Sequence, residues 1–276
     1  MNPHLEHSGS LFSIFQSFRR NRRLIVDMTK REIKKRYQGS IFGLAWAFIN
    51  PLLMLAVYTF VFTVIFQRRW GISENESRAD FPLLLFAGLI IFSIFSESMN
   101  HSPGLIIGNV NYVKKVIFPL EILTWVSVGG TLFHALVNLT ILLVVQLLFK
   151  GFFPLTVFLL PFTLLPVILL SLGVSWFLSS LGTYFRDISQ ILGFFTTFLM
   201  FSSAVFYPLS GLPEKYQRWL RLNPIALIID ETRKMLIFGQ YPNWFSVSIL
   251  IVASAVVAFL GFWWFQKTRK GFADVL

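Results

Sequence analysis

The sequence predicts an all-α membrane protein with six transmembrane helices in each subunit. Apolar residues make up 55% of the 276 residues and charged residues only 13%, whereas an ordinary soluble domain carries about 25% charged residues. The mean hydropathy is +0.67. Long uncharged runs alternate with short polar segments, and a run of about 20 apolar residues is long enough to cross a hydrocarbon core of about 30 Å.

The composition argues against several kinds of site. The chain has no Cys, so it forms neither disulfides nor thiolate metal sites. Its four His are scattered without the spacing of metal ligands, and we expect no bound metal. No Gly-Lys dipeptide occurs, which excludes a Walker A phosphate loop. The net charge of +11 would suggest nucleic acid in a soluble protein; in a membrane protein it indicates topology and anionic lipid, so we expect no nucleic-acid partner.

Residues 1–41 are predicted to be a cytoplasmic tail, and they hold nine of the 24 Lys and Arg residues. Between residues 24 and 37, apolar and charged residues alternate at roughly helical spacing, which predicts an amphipathic helix in the headgroup plane. A solvated basic tail is the alternative. Four cations near the end of this helix are candidates for contact with the membrane surface: Arg31, Lys34, Lys35 and Arg36.

Six apolar segments between residues 42 and 267 are predicted to cross the membrane. Spans one to six are residues 42–66, 81–99, 118–149, 152–181, 191–207 and 245–265. The connection 208–244 is predicted to hold two short helices, 212–222 and 224–238, at or dipping into the outer leaflet. Charged residues interrupt every apolar run there that is long enough to span. Residues 268–276 form a second cytoplasmic tail.

An even number of spans places both termini on one side of the membrane. With the basic N-terminus inside, 15 Lys and Arg residues lie in the cytoplasmic segments and nine lie outside. This bias agrees with the positive-inside rule, so we expect both termini in the cytoplasm.

The spans hold almost no ionisable group in their central parts. His134 is the exception, and Asn138 follows one helical turn later. This pair suits either a structural hydrogen bond between helices or a proton relay. A chain without a catalytic cluster, an ion-coupling site or a nucleotide loop must take its energy from a partner.

Two short polar segments on the cytoplasmic side are the natural docking points for such a partner. We call residues 109–121 the first loop and residues 182–190 the second loop. In the first loop, Lys114 and Lys115 precede the apolar group Val116, Ile117 and Phe118, which offers charge beside an apolar anchor. A plain topology anchor is the alternative role for the two lysines.

Aromatic residues are unusually frequent, with 32 Phe in the chain. Sugar C–H faces pack on aromatic rings without fixed hydrogen bonds, so a wall of rings suits a sugar channel. Lipid contact and helix packing are the ordinary roles of Phe in a membrane protein. The phenylalanine cluster of span five is the candidate channel wall: Phe194, Phe195, Phe198 and Phe201.

Four motifs, in order, resemble the membrane subunit of type-2 ABC exporters for polysaccharides such as O-antigen, capsule and teichoic acid. They are REIKKRYQGSIFGLAWAFINPLLMLAVYTFVF (31–62), NVNYVKKVIFPLEIL (109–123), LGTYFRDISQIL (181–192) and the pair Asn223-Pro224. The resemblance covers nearly the whole chain from about residue 24.

The resemblance implies a homodimer of six-span subunits with an interface helix before span one and an outer re-entrant region at 208–244. Two ATPase subunits, a separate polypeptide, would carry the ATP and Mg. Residues 109–118 and 183–189 would be coupling helices, and spans one and five would line a channel between the two copies. The coupling residues carried over are Asn109, Lys114, Lys115, Phe118, Arg186 and Asp187.

We therefore expect export of a lipid-linked polysaccharide across the bacterial inner membrane, driven by ATP on the partner. The basic helix would face either the lipid diphosphate or ordinary anionic lipid. Two other functions remain open: an ABC exporter for another lipid, a peptide or a drug, and a membrane-embedded glycan-processing enzyme.

Overall fold

The computed structural model of the chain describes residues 11–65, 80–114 and 118–276, and the regular elements within these ranges are all helical. Twelve α-helices occur in these ranges. They are α1 (Leu11–Tyr37), α2 (Trp46–Thr59), α3 (Asp80–His101), α4 (Gly104–Ile107), α5 (Val110–Lys114), α6 (Ile122–Lys150), α7 (Leu160–Tyr184), α8 (Ile188–Ser202), α9 (Glu214–Leu220), α10 (Pro224–Phe238), α11 (Trp244–Thr268) and α12 (Phe272–Val275).

Within the described ranges, five helices are long and apolar enough to cross a membrane, and they match predicted spans one, two, three, four and six. Their bounds are Gly43–Ile65, Asp80–His101, Ile122–Lys150, Leu155–Tyr184 and Trp244–Val275. The ends fall within a few residues of the predicted ones, except that the last helical stretch continues ten residues past the predicted end of span six, into the C-terminal tail. Apolar length fixes these elements because every backbone polar group must be bonded internally in hydrocarbon.

Predicted span five is a shorter helix, α8, of 15 residues. At 1.5 Å per residue it is about 22 Å long, less than a hydrocarbon core of about 30 Å. The helix ends at Ser202, and Ala204 follows in a left-handed conformation with φ of 54°. This turn ends α8 five residues before the predicted boundary.

A buried arginine holds that turn. Arg233 of α10 donates Nε–H to the Leu84 carbonyl of α3 at 2.8 Å and Nη1–H to the Ala204 carbonyl at 2.7 Å. Its third donor, Nη2, bonds the Val205 carbonyl. The guanidinium passes so close to Gly88 that a Cβ there would lie 2.4 Å from Nη2. The carbonyls of the turn after α8 thus receive their donors from α10.

Helix α10 has the predicted bounds 224–238, but it is a buried element. Most of its residues are covered, and it packs against α3 and α7. Helix α3 is the centre of the bundle, with contacts to α6, α7, α8 and α10. Helix α2, by contrast, is almost uncovered by the rest of the chain.

The closest helix pair is α7 with α11. A Cβ on Gly261 would lie 2.0 Å from the Gly173 carbonyl oxygen, and a Cβ on Gly173 would lie 2.5 Å from the Val257 carbonyl oxygen. Small residues at membrane helix crossings permit such close backbone contact, which gains dispersion energy where no hydrophobic force operates between helices.

Helix α1 starts 13 residues before the predicted amphipathic segment and includes its full length. Its apolar face packs on α6, where Ile25 is buried with Ile122 and Val126. Phe18 also contacts the Trp125 ring, with centroids 4.7 Å apart. Residues 24–37 are therefore helical, as predicted, and part of their apolar face is covered by the chain itself.

Ion pairs join groups that the topology places on the same side. Asp80 and Lys150, both predicted outside, are paired at 2.6 Å. Arg36 with Glu97, and Arg269 with Glu121, pair groups that are all predicted inside. Each of these ion pairs therefore agrees with the predicted side of the membrane for both of its partners.

Candidate functional site

The first loop begins at Asn109, which joins α4 to the short helix α5 inside the loop. Asn109 donates its side-chain Nδ2–H to the Leu105 carbonyl at 2.8 Å, and its own carbonyl accepts from Tyr112 N–H at 2.9 Å. Asn109 therefore fixes the angle between α4 and α5. Lys114, at the end of α5, is exposed.

Phe118 faces its own chain. Its ring stacks on Tyr112, with centroids 4.4 Å apart and planes 12° apart. Both rings border the buried cluster that includes Leu120 and Leu123. Phe118 is thus a packing residue of the first loop, whereas the sequence suggested an apolar anchor for a partner. Lys115 and its neighbours Val116 and Ile117 lie outside the described residues.

The second loop presents an aromatic residue and two charges. Phe185 is 64% exposed, and Arg186 and Asp187 beside it are exposed as well. Thr183 is buried and bonds the Ser179 carbonyl at 2.9 Å, which fixes the end of α7. Sequence reasoning missed Phe185, although an apolar residue directly beside charges in a short loop is a recognisable anchor pattern.

The second loop meets the segment just before α4 where Gly182 lies against Pro103. A Cβ on Gly182 would lie 2.5 Å from Pro103 Cα and 2.6 Å from its carbonyl oxygen. Helix α4, which follows Pro103, packs along α7. The structure thus brings most of the predicted coupling residues to one end of the bundle, where α4, which leads into the first loop, packs on α7, which leads into the second loop.

A polar cavity lies between α1, α2, α3 and α6. One part has a volume of about 570 Å³, and a neighbouring part of about 880 Å³ extends toward the first loop. Both parts are lined by Arg36, Glu97 and His134. Arg36 pairs with Glu97 across the cavity.

His134 bonds to the helix before span one. Its Nδ1 lies 3.2 Å from the Tyr37 hydroxyl. Burial raises the pKa of Tyr37, an effect that Arg36 partly offsets. Asn138 lines the same cavity. Of the two roles considered for His134, the geometry favours the structural hydrogen bond between helices.

The four basic-helix candidates divide into two groups. Arg31, Lys35 and Arg36 line the cavity. Lys34 is exposed on the same helix and is not among the lining residues of either part. Three of these cations therefore line the cavity, and the fourth does not.

The phenylalanine cluster lies on a face of α8 that the rest of the chain leaves open. Phe194 is 79% exposed, and the other three members are also exposed: Phe195, Phe198 and Phe201. The opposite face packs against α3, where Thr196 Oγ1 bonds Asn100 at 3.0 Å. Within the described ranges, no group of three or more His, Asp or Glu is arranged to hold a metal ion.

The chain is similar to known export proteins over most of its length. The O-antigen export system permease protein RfbA of Myxococcus xanthus is 27% identical over 255 residues, which is 92% of this chain and 95% of that protein. The polysialic acid transport protein KpsM of Escherichia coli is 28% identical, covering 84% and 88%. The capsule polysaccharide export inner-membrane protein CtrC of Neisseria meningitidis is 20% identical, covering 78% and 79%.

The family comparison agrees with the predicted class of membrane transporter subunit. A sequence profile described as "ABC-2 type transporter" matches residues 23–237. This match begins within α1 and ends within α10, so it includes both loops and the cavity. The chain belongs to the ABC-2 type transporter family.

Proposed function

We propose that this chain is the channel-forming subunit of an exporter that moves a lipid-linked polysaccharide across the bacterial inner membrane. The energy comes from hydrolysis of ATP, which binds with Mg to a separate ATPase chain. The observation that carries the proposal is the pair of loops at one end of the bundle, which exposes Lys114, Phe185, Arg186 and Asp187. The relatives named for O-antigen, polysialic acid and capsule export support the substrate class.

The working assembly in this proposal has two copies of the chain and two ATPase subunits. Helix α2 and the aromatic face of α8 are both uncovered by their own chain. In the proposal, α8 is span five and completes a set of six membrane crossings, and these two surfaces of each copy enclose the channel. Rings without fixed hydrogen-bonding demands would then contact the moving sugar chain.

Both termini are cytoplasmic in this proposal. The ion pair between Arg269 and Glu121 joins the C-terminal segment to the start of α6, and Ser17 of α1 bonds the same carboxylate at 2.9 Å. These contacts keep the N-terminal helix, the first loop and the C-terminal tail at one end. The excess of Lys and Arg in these segments supports a cytoplasmic position.

The cavity is proposed to receive the lipid diphosphate. Arg31, Lys35 and Arg36 supply charge at its rim, and cations at headgroup depth suit a phosphate. An ordinary anionic-lipid anchor would require only the net charge of the helix, whichever side the cations occupy. The position of a cation on the helix therefore distinguishes diphosphate binding from a membrane anchor.

The matched pair Lys35→Gln and Lys34→Gln tests this role. Both remove one charge from neighbouring positions, but only Lys35 lines the cavity. We expect export to fall about tenfold in Lys35→Gln and to stay near normal in Lys34→Gln, at equal protein levels. An equal effect of the two changes would instead indicate a membrane anchor.

The function itself is tested in a strain that lacks the chain. We expect loss of the surface polysaccharide and accumulation of its lipid-linked form in the inner leaflet. Complementation with the native chain should restore export only with an ATPase partner able to hydrolyse ATP. Unchanged surface polysaccharide, together with loss of a different exported lipid, peptide or drug, would reject the substrate class.

A further inference from the structure

The segment after α11 folds back onto the first loop. Arg269 Nη1 pairs with Glu121 Oε2 at 2.9 Å, and its Nη2 donates to the Phe118 carbonyl at 3.0 Å. The Arg269 side chain is 17% exposed and that of Glu121 7%. Because both groups are largely withdrawn from water, the pair is less screened than a surface salt bridge.

Glu121 is a junction of several elements. Its other carboxylate oxygen, Oε1, accepts from Ser17 Oγ–H of α1 at 2.9 Å. Its backbone carbonyl accepts from Trp176 Nε1–H of α7 at 3.1 Å. One residue at the start of α6 therefore links the N-terminal helix, span four and the C-terminal segment.

The C-terminal segment also fills an apolar pocket under the first loop. Phe272 is fully buried, in one cluster with Ile106 of α4 and with Leu120 and Leu123. The stacked rings of Tyr112 and Phe118 pack against this cluster. Phe272 thus supports the first loop from the side that faces the bundle.

The same segment contacts the second loop. Tyr184 donates its hydroxyl proton to the Thr268 carbonyl at 2.9 Å. Ser180 and Thr268 hydroxyls lie 2.7 Å apart, and a Cβ on Gly271 would lie 2.5 Å from the Tyr184 hydroxyl. The end of the chain therefore contacts both loops.

We propose that residues 268–276, which we call the C-terminal clasp, hold the two loops as one rigid unit, with Arg269 and Phe272 as positioning residues for energy coupling. The inference rests on the proposed function, in which the loops receive force from the ATPase. Packed side chains and hydrogen bonds carry force from a loop to the spans. Without the clasp, the loops retain their exposed docking residues but move independently.

The principal test measures coupling in a reconstituted complex of this chain with its ATPase. Arg269→Gln removes the charge that reaches the first loop, and Lys267→Gln is the control. Lys267 lies in the same region, with its ammonium 5.0 Å from the Trp263 ring centroid. We expect Arg269→Gln to bind the ATPase and hydrolyse ATP within about twofold of normal, while export per ATP falls about tenfold.

Rescue by a conservative change separates positioning from folding. Arg269→Lys keeps one charge–charge contact with Glu121, so it should recover part of the lost export per ATP. Phe272→Leu keeps an apolar side chain in the pocket and should retain more coupling than Phe272→Ser. Equal coupling in Arg269→Gln, Lys267→Gln and the native chain would overturn the proposal.

A distance measurement tests the rigid unit directly and independently of transport. The chain has no Cys, so spin labels at Asn111→Cys and Asp187→Cys, both exposed positions, report the separation of the loops. Labelled chain is diluted with unlabelled chain to isolate distances within one copy. We expect a narrow distribution that broadens in Arg269→Gln, and an unchanged width would contradict the clasp.

The two proposals fail in different ways. If the loops do not couple to an ATPase, charge reversal at Asp187 will also leave export per ATP unchanged. If only the clasp is wrong, Asp187→Lys will uncouple the complex and Arg269→Gln will not.

Discussion

Replacing Gly261 by Ala tests the close crossing of α7 and α11. The new Cβ would lie 2.0 Å from the Gly173 carbonyl oxygen, and ordinary contact begins at 3.4 Å. The helices must therefore separate by roughly 1.4 Å, the difference between these distances. A gap of about 0.5–1 Å already loses a quarter to a half of each dispersion contact.

The expected cost is at the upper end of the usual overpacking range. Overpacking commonly costs about 1–3 kcal/mol, and here the obstacle is backbone that cannot change rotamer. We expect Gly261→Ala to lower the free energy of unfolding by about 3 kcal/mol. The measurement is loss of helical circular dichroism as SDS is titrated into dodecylmaltoside micelles.

Gly130→Ala is the matched control in α6. A Cβ at Gly130 meets no atom of the chain within 4 Å, and Ala is favoured over Gly in a helix by about 1 kcal/mol. The control should therefore be neutral or stabilising, with a sign opposite to that of Gly261→Ala. If both variants unfold at the same SDS fraction, backbone contact does not hold α7 against α11.

Two further substitutions test the turn after α8 and the contact between Gly182 and Pro103. Arg233→Met leaves the Leu84, Ala204 and Val205 carbonyls without their donor; at about 1–3 kcal/mol for a buried unsatisfied group, we expect a loss of at least ~3 kcal/mol in the SDS titration. Arg218→Met, at an exposed position of α9, should cost less than about 0.5 kcal/mol, and equal losses would refute the role of Arg233. Gly182→Val pushes Pro103 away from α7, so export per ATP should fall about tenfold with little change in ATP hydrolysis. Gly104→Ala, which meets no atom within 4 Å, should leave export normal; normal export in both variants would show that this contact does not transmit force.

The spans were predictable because their signal is local. Apolar length alone selects a membrane helix, and five of the predicted segments coincide with helices of spanning length. Span five was harder because its C-terminal end depends on Arg233, which lies 29 residues after Ala204 and 28 after Val205. Hydropathy registers Arg233 as a reason to place α10 at the surface, whereas three carbonyl partners allow its burial.

The candidate site was predictable as a pair of loops but not in the roles of single residues. The charge pattern and the order of the predicted spans indicated both loops and the need for a partner that supplies energy. Phe118 and Phe185 look alike in sequence, yet one ring packs inward and the other is exposed. The difference depends on the stack with Tyr112 and on the C-terminal segment, which contacts Phe118 from about 150 residues further along the chain.

The burial of Phe272 also has a consequence for biogenesis. The ribosome delivers Ile106, Leu120 and Leu123 to the membrane surface about 150 residues before Phe272. At about 5–20 residues per second, this apolar pocket stays unfilled for roughly 7 to 30 s during synthesis. Helix α7 likewise waits for α11 before its glycine crossing can close. A nascent chain that stalls before its last helix therefore exposes apolar surface to proteases and chaperones, which can remove it before it assembles.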